Sequence, residues 1–250
     1  MNNDPWALQL RRHTPARIAL GRSGSSLRTA DWLRFAADHA QARDAVHLPL
    51  DVAALVDELG RDGWPSVITV QSQAATREVY LRRPDLGRRL SSPIDEATAP
   101  SDLAVVLADG LSAAALQHAP PLLHALRHEL ADTLTWAPPV VATQARVALG
   151  DEIGARLLAR IVLVLIGERP GLSSPDSLGA YLTYLANAAP AVGRNDALRN
   201  CVSNIRPQGL APVDAARRIA WLLRESLRRQ LSGVALKDDS ETALLASVQR

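Results

Sequence analysis

Apolar residues recur at intervals of three and four early in the chain. Trp32, Leu33, Phe35, Ala36, His39 and Ala40 follow Thr29, which can cap a helix at that point. Residues 50–59 (LDVAALVDEL) repeat the pattern and stop at Gly60. Residues 71–90 have weaker periodicity and many arginines, so the first hundred residues read as mostly helical. Residues 91–102 (SSPIDEATAPSD) combine Ser, Pro and acid at a density typical of a linker.

Beyond the linker the rhythm changes. Residues 103–108 (LAVVLA) form a short apolar run that ends at Asp109-Gly110. Residues 111–130 look helical, with Pro120-Pro121 as an interruption. Residues 139–144 are a second strand candidate and 150–160 a short helix. Residues 161–166 (IVLVLI) are the clearest buried strand, and 178–185 and 201–205 are weaker ones. Residues 212–231 are strongly amphipathic, with Ala215, Ile219, Leu222, Leu223 and Leu227 on one side and arginines on the other. Strands alternating with helices predict an α/β fold with a parallel sheet covered on both faces. The linker then divides the chain into a small helical N-terminal domain, 1–98, and a sheet domain, 99–250. Ligands of such sheets bind at the carboxyl ends of strands. Those ends are expected at Asp109-Gly110, around Val147, along residues 167–171, and near Cys201.

Composition alters this picture little. The chain has 250 residues, 47% of them hydrophobic, which is enough for a proper core. Aromatic residues are scarce (five Trp, three Tyr, one Phe), so Leu, Ala and Val must fill that core. A formal charge of +2 gives no general footprint for nucleic acid or a membrane surface. Lys237 is the only lysine, which most simply reflects codon usage. Cys201 is the only cysteine, so neither an intrachain disulfide nor a Cys-based metal knuckle can form. A reducing compartment is expected. The N-terminus has no apolar run of the secretory kind, and no apolar stretch approaches the ~20 residues a bilayer requires.

Several motifs fail on inspection. No G-x-G-x-x-G run and no P-loop follows any strand candidate. Ser112 stands where a hydrolase nucleophile would, but position 114 is Ala, and helix capping explains it better. His124 and His128 share a helix face without the Glu a zincin needs between them. No D-x-H-x-x-G run exists to replace the lower axial base of a cobalamin. No catalytic residue and no metal ligand is assigned to this chain.

Three stretches are too specific to be generic. Residues 14–24 read TPARIALGRSG and 39–47 read HAQARDAVH. Residues 108–113 read ADGLSA. From 146 onward come RVALGDEIG, LIGERPGLSSPDSLGAYLTY, RNCVSNIRPQGL and LSGVALKD. In this order the blocks resemble the small (light) subunit of ethanolamine ammonia-lyase, from about Trp6 to Lys237.

The resemblance implies an adenosylcobalamin-dependent radical conversion of ethanolamine to acetaldehyde and ammonia. It implies a Rossmann-like, mostly parallel sheet domain that closes over the cobalamin. The substrate would sit on a large subunit built as a TIM barrel, and six large and six small subunits would assemble. This chain would have no lyase activity alone. Three positions carry over as cobalamin contacts: Val147, Glu168 and Cys201. A carboxylate at 168 and backbone carbonyls at 147 and 201 can accept hydrogen bonds from the amides of the corrin rim. An ion pair for Glu168, and plain packing for Val147 and Cys201, are the alternatives. Ser112, Arg169 and Asn204 are weaker candidates. The expected location is the cytoplasm. Microcompartment members carry a longer extension ahead of the first block, which argues against that address here. The rival functional readings are a stand-alone Rossmann-like small-molecule binding protein and a structural partner without ligand.

Overall fold

The computed structural model describes residues 5–14, 18, 20, 22–95, 97, 99–185 and 195–241. Arg17 of the first motif block and parts of the linker lie outside them. Helix α1 (Pro5–Arg11) leads to a two-residue hairpin, β1 (Arg22–Ser23) with β2 (Ser26–Leu27). Helix α2 (Thr29–His47) starts at Thr29 itself, with Arg28 at the cap position. Thr29 is therefore not the cap; Arg28 Nε instead bonds Asp31 in the first turn at 3.0 Å. Helix α3 (Val52–Arg61) is capped by Asp51, whose Oδ1 accepts from the Ala54 N–H at 3.0 Å, and it buries Leu55 and Leu59.

Residues 68–90 differ from the helical expectation. Strand β3 (Ile68–Gln71) comes first, then helix α4 (Arg77–Arg82), capped by Thr76, then a single 3₁₀ turn over Leu86–Arg88. Pro84 follows α4 and prevents its continuation. β3 pairs in parallel with a strand from beyond the linker, so the sheet draws on residues ahead of position 98.

The rest follows the alternating plan. Strand β4 (Ser101–Ala108) leads through a 3₁₀ segment to helix α5 (Ala119–Leu130). Pro120 and Pro121 lie in the first turn of α5, where a missing N–H costs nothing, so they open the helix and do not interrupt it. Strand β5 (Val140–Thr143), helix α6 (Leu149–Arg156) and strand β6 (Ala159–Gly167) follow. Strands β7 (Leu178–Tyr184) and β8 (Arg199–Ile205) and helix α7 (Pro212–Arg229) complete the sheet layer.

The sheet order is β3-β5-β4-β6-β7-β8. The first four strands are parallel; β7 pairs antiparallel with β6, and β8 antiparallel with β7. The architecture is thus α/β with a mostly parallel, Rossmann-like sheet. β4 and β6 are buried on both sides, which is why their sequences are continuous apolar runs. Leu103, Val105, Leu107, Leu163 and Leu182 face α5 and α7. Val106, Val162 and Val164 face the other way, toward Leu149 and Ile153 of α6. No helix among the described residues is long and apolar enough to cross a membrane.

Candidate functional site

The parallel strands deliver their carboxyl ends to one edge of the sheet. There β4 and β6 approach so closely that side chains are excluded. Gly110 has φ +55°, and a Cβ on it would collide with the Gly167 carbonyl; one on Gly167 would collide with the Ser112 carbonyl. Asp109, at the end of β4, is buried and accepts from the N–H groups of Gln144 (2.9 Å) and Ala145 (3.1 Å) and from Arg77 at 3.4 Å. Burial is the largest influence on its carboxyl and pushes its pKa up, against those donors.

Helix α4 places Tyr80 beneath this edge, fully buried, with its hydroxyl donating to the Ala145 carbonyl at 3.0 Å. Burial pushes the Tyr80 pKa up to about 12, against the lowering field of Arg146. Two guanidiniums stack on its ring, Arg146 at 4.3 Å and Arg77 at 4.9 Å.

Two adjoining cavities open above, of about 410 Å³ and 310 Å³. The first is lined by Glu168, Arg169 and Gly110, the second by Cys201, Arg199 and Arg88; both share Arg146, Val147 and Tyr181. Val147 follows β5 in the loop before α6, Glu168 directly follows β6, and Cys201 faces Tyr181 across the β7–β8 ladder. The three residues singled out in the sequence therefore border one concave surface. Cys201 lies near the amino end of β8, not at a carboxyl end, because Arg199 and Asn200 already belong to the strand.

Local structure fixes Glu168. Between β7 and β8 the register shifts, and Asn204 takes φ +59°, so β8 bulges. The bulge aims Ser203 Oγ at Glu168 Oε1 (2.5 Å) and the Asn204 N–H at Oε2 (3.2 Å). Ser177 Oγ donates to Oε2 at 2.5 Å. The carboxylate is thus held by two hydroxyls and one amide, and no ion pair joins it among the described residues. With about four lone-pair sites in all, it retains room for a further donor. The Gly179 position keeps it close, since a Cβ there would stand 2.9 Å from Glu168 Oε1.

The Cys201 residue is exposed, but its thiol is desolvated enough that burial pushes its pKa up, while a hydrogen bond with Tyr181 pulls it down. Tyr181 is pushed upward too, first by burial and then by Cys201. Below them lies a buried ion pair. Arg199 grips both Asp151 oxygens at 2.7 Å and reaches Thr183 Oγ1 at 2.8 Å and Asp196 at 3.1 Å. It ties α6 to the start of β8 across two strands.

Of the weaker candidates, Arg169 lines the cavity beside Glu168 and Asn204 contributes its N–H. Ser112 does neither: it is buried and donates to the Pro175 carbonyl at 2.7 Å, without capping a helix. Sequence reasoning missed Tyr80, Tyr181, Arg146 and Arg199. Arg146, Tyr181 and Arg199 sit inside the quoted motif blocks, and that position was the one signal available. His124 and His128 are exposed, and no metal-binding group of acidic, His or Cys side chains exists among the described residues.

Residues 3–237 match the family model for the ethanolamine ammonia-lyase light chain. The chain is similar to the ethanolamine ammonia-lyase small subunit of Azotobacter vinelandii, 54% identical over 252 residues, covering 97% of this chain and 91% of that one. It is 56% identical over 241 residues to the small subunit of Bradyrhizobium diazoefficiens, covering 93% and 90%. The Ralstonia nicotianae small subunit is 51% identical over 260 residues, covering 100% and 94%.

Proposed function

The chain belongs to the family of ethanolamine ammonia-lyase light chains, and from that premise we propose that it closes over adenosylcobalamin on the open half of its sheet. The single observation that supports this is the convergence of Val147, Glu168 and Cys201 on one concave surface around Arg146 and Tyr181. Adenosylcobalamin supplies the radical chemistry when bound. The residues present fit an edge of such a group. Glu168 keeps acceptor capacity for a rim amide, and the buried Arg146 Nε has no partner among the described residues. The cavities are shallow bays that take an edge of a corrin, leaving the remainder to a second protein.

In this reading the chain binds, orients and screens, and it moves no proton. Val147 gives an apolar wall and a carbonyl. The Ser177, Ser203 and Asn204 donors keep the Glu168 carboxylate in one orientation. The floor formed by β7 and β8 keeps water from one side of the cofactor. Substrate contacts belong to the large subunit, and the assembly of six large and six small subunits works in the cytoplasm.

The helical part ahead of β3 would then dock the large subunit. Along α2, Trp32 (54% exposed), Leu33 and Phe35 are large apolar side chains exposed at the surface. Large apolar side chains grouped on one exposed helix are what a protein interface would cover. Replacing Trp32 and Phe35 by Ser should weaken co-purification with the large subunit.

The experiment is co-expression with the large subunit, then purification and visible spectroscopy. Retained corrinoid in the two-subunit complex, and acetaldehyde formed from ethanolamine only by that complex, is the expected result. Lyase activity of this chain alone, or cobalamin held equally well by the large subunit alone, would overturn the reading.

A further inference from the structure

Charge around the two cavities does not cancel. The acids near them are already matched. Asp151 and Asp196 pair with Arg199, Asp109 with Arg77 and two backbone amides, and Glu168 with two hydroxyls and the Asn204 N–H. Three guanidiniums are left over among the described residues: Arg169 beside Glu168, and two that border the cavity of Cys201. Arg146 lines both cavities, and its side chain makes one hydrogen bond, from Nη2 to the Tyr80 carbonyl at 3.3 Å. Arg88 lines the cavity that holds Cys201 and has neither an ion pair nor a hydrogen bond from its side chain among the described residues.

These two are held as a pair. The Arg146 N–H donates to the Gly87 carbonyl at 2.8 Å. A Cβ on Gly87 would stand 2.9 Å from Arg146 Cγ and 3.1 Å from the Tyr80 ring, so only glycine lets the turn carrying Arg88 lie this close. The Tyr80 ring meanwhile fixes the plane of the Arg146 guanidinium. A half-buried guanidinium without an acid is costly unless an anion completes it. Its planar fork suits the paired oxygens of a phosphate.

We infer that Arg88 and Arg146 form an anion subsite that takes phosphate oxygens at the Cys201 end of the site. This rests on the cofactor reading only for the source of the phosphate. Cobalamin carries a phosphodiester in its nucleotide tail, and free phosphate offers the same oxygens.

The test uses the co-expressed two-subunit complex and the variants Arg88→Gln and Arg146→Gln. Cyanocobalamin and cyanocobinamide, which lacks the nucleotide tail and its phosphate, are titrated by visible absorption. Inorganic phosphate is titrated by calorimetry. Each variant should weaken cobalamin by roughly tenfold, the scale of one charge-assisted hydrogen bond, and leave cobinamide unchanged. That result assigns the subsite to the cofactor's own phosphate. Loss of inorganic phosphate binding with both corrinoids unaffected assigns it to free phosphate. Equal weakening of cobalamin and cobinamide overturns the subsite, and so does wild-type binding of cobalamin and phosphate in both variants. Arg88 is exposed and supports no core packing, so its variant remains informative should Arg146→Gln misfold. A wild-type complex that retains neither corrinoid refutes the cofactor reading, and the phosphate titration still decides the subsite.

Discussion

The two faces of the sheet are treated differently. On one, α5 and α7 lie across the central strands and the antiparallel pair, and the buried layer between is aliphatic. On the other, α6 packs on β4 and β6, and β7 and β8 present Tyr181, Thr183, Arg199, Cys201 and Ser203 to the space beside it. The closed face is held by area removed from water. The open half is held by directional bonds, the Arg199–Asp151 pair above all. Where helix cover stops, polar groups replace apolar ones, and the bays form at that boundary.

The contrast is broken most severely by Asp151→Ala. It leaves Arg199 buried without its bidentate partner, and loss of one member of such a pair costs roughly 3–5 kcal/mol. Urea unfolding of the isolated chain measures this. Asp151→Leu combined with Arg199→Met should recover much of the loss, because neither charge then remains.

On the closed face, Leu163→Ala should cost about 2–5 kcal/mol through cavity formation, read by the same unfolding curves. If the faces are as separate as the packing indicates, the folded variant should hold corrinoid like the wild type in the two-subunit complex.

A smaller effect is expected at Glu168→Gln. It keeps the size but loses the charge that two serine hydroxyls and an amide satisfy. Corrinoid affinity should fall about tenfold, since a charge-assisted bond exceeds a neutral one by roughly 1.4 kcal/mol. Unchanged affinity beside a lower melting temperature would mean that Glu168 only holds the β6 and β8 loops together.

The mildest effect concerns Cys201. Its raised pKa means a smaller thiolate fraction at a given pH than in the unfolded chain, where the group has its ordinary value. Alkylation near pH 8 should be slower in the native protein than in urea, despite the residue's exposure. As the only cysteine, it makes the measurement unambiguous. Bound cobalamin should slow the reaction further.

The closed face was the more legible in the sequence. β4 and β6 announce themselves because burial on both sides demands unbroken apolar runs, and α7 because one side alone is buried. β3 has four residues, too few for a period to register, and its pairing partner lies some seventy residues on. Val147, Glu168 and Cys201 were named through motif resemblance, and the fold brings them to one surface. Their supports were not readable. Arg199 meets Asp151 across 48 positions, and Tyr181 matters only because no helix among the described residues covers its face of β7. The bulge that aims Ser203 depends on a left-handed Asn204, and no isolated Asn advertises that.

That bulge also bears on solubility. An outermost strand with free amides and carbonyls invites another extended chain to add to it, the first step of strand-mediated aggregation. Along β8 the edge is obstructed at both ends instead. The Asn204 carbonyl accepts from the Leu210 N–H at 2.8 Å, and the Asn200 side chain, which accepts from the Gly233 N–H and donates to the Leu236 carbonyl, holds the segment 233–236 against the other end. With a kinked backbone between these stoppers, the sheet terminates at its sixth strand. Growth from that edge would require unfolding the turn at residues 206–210.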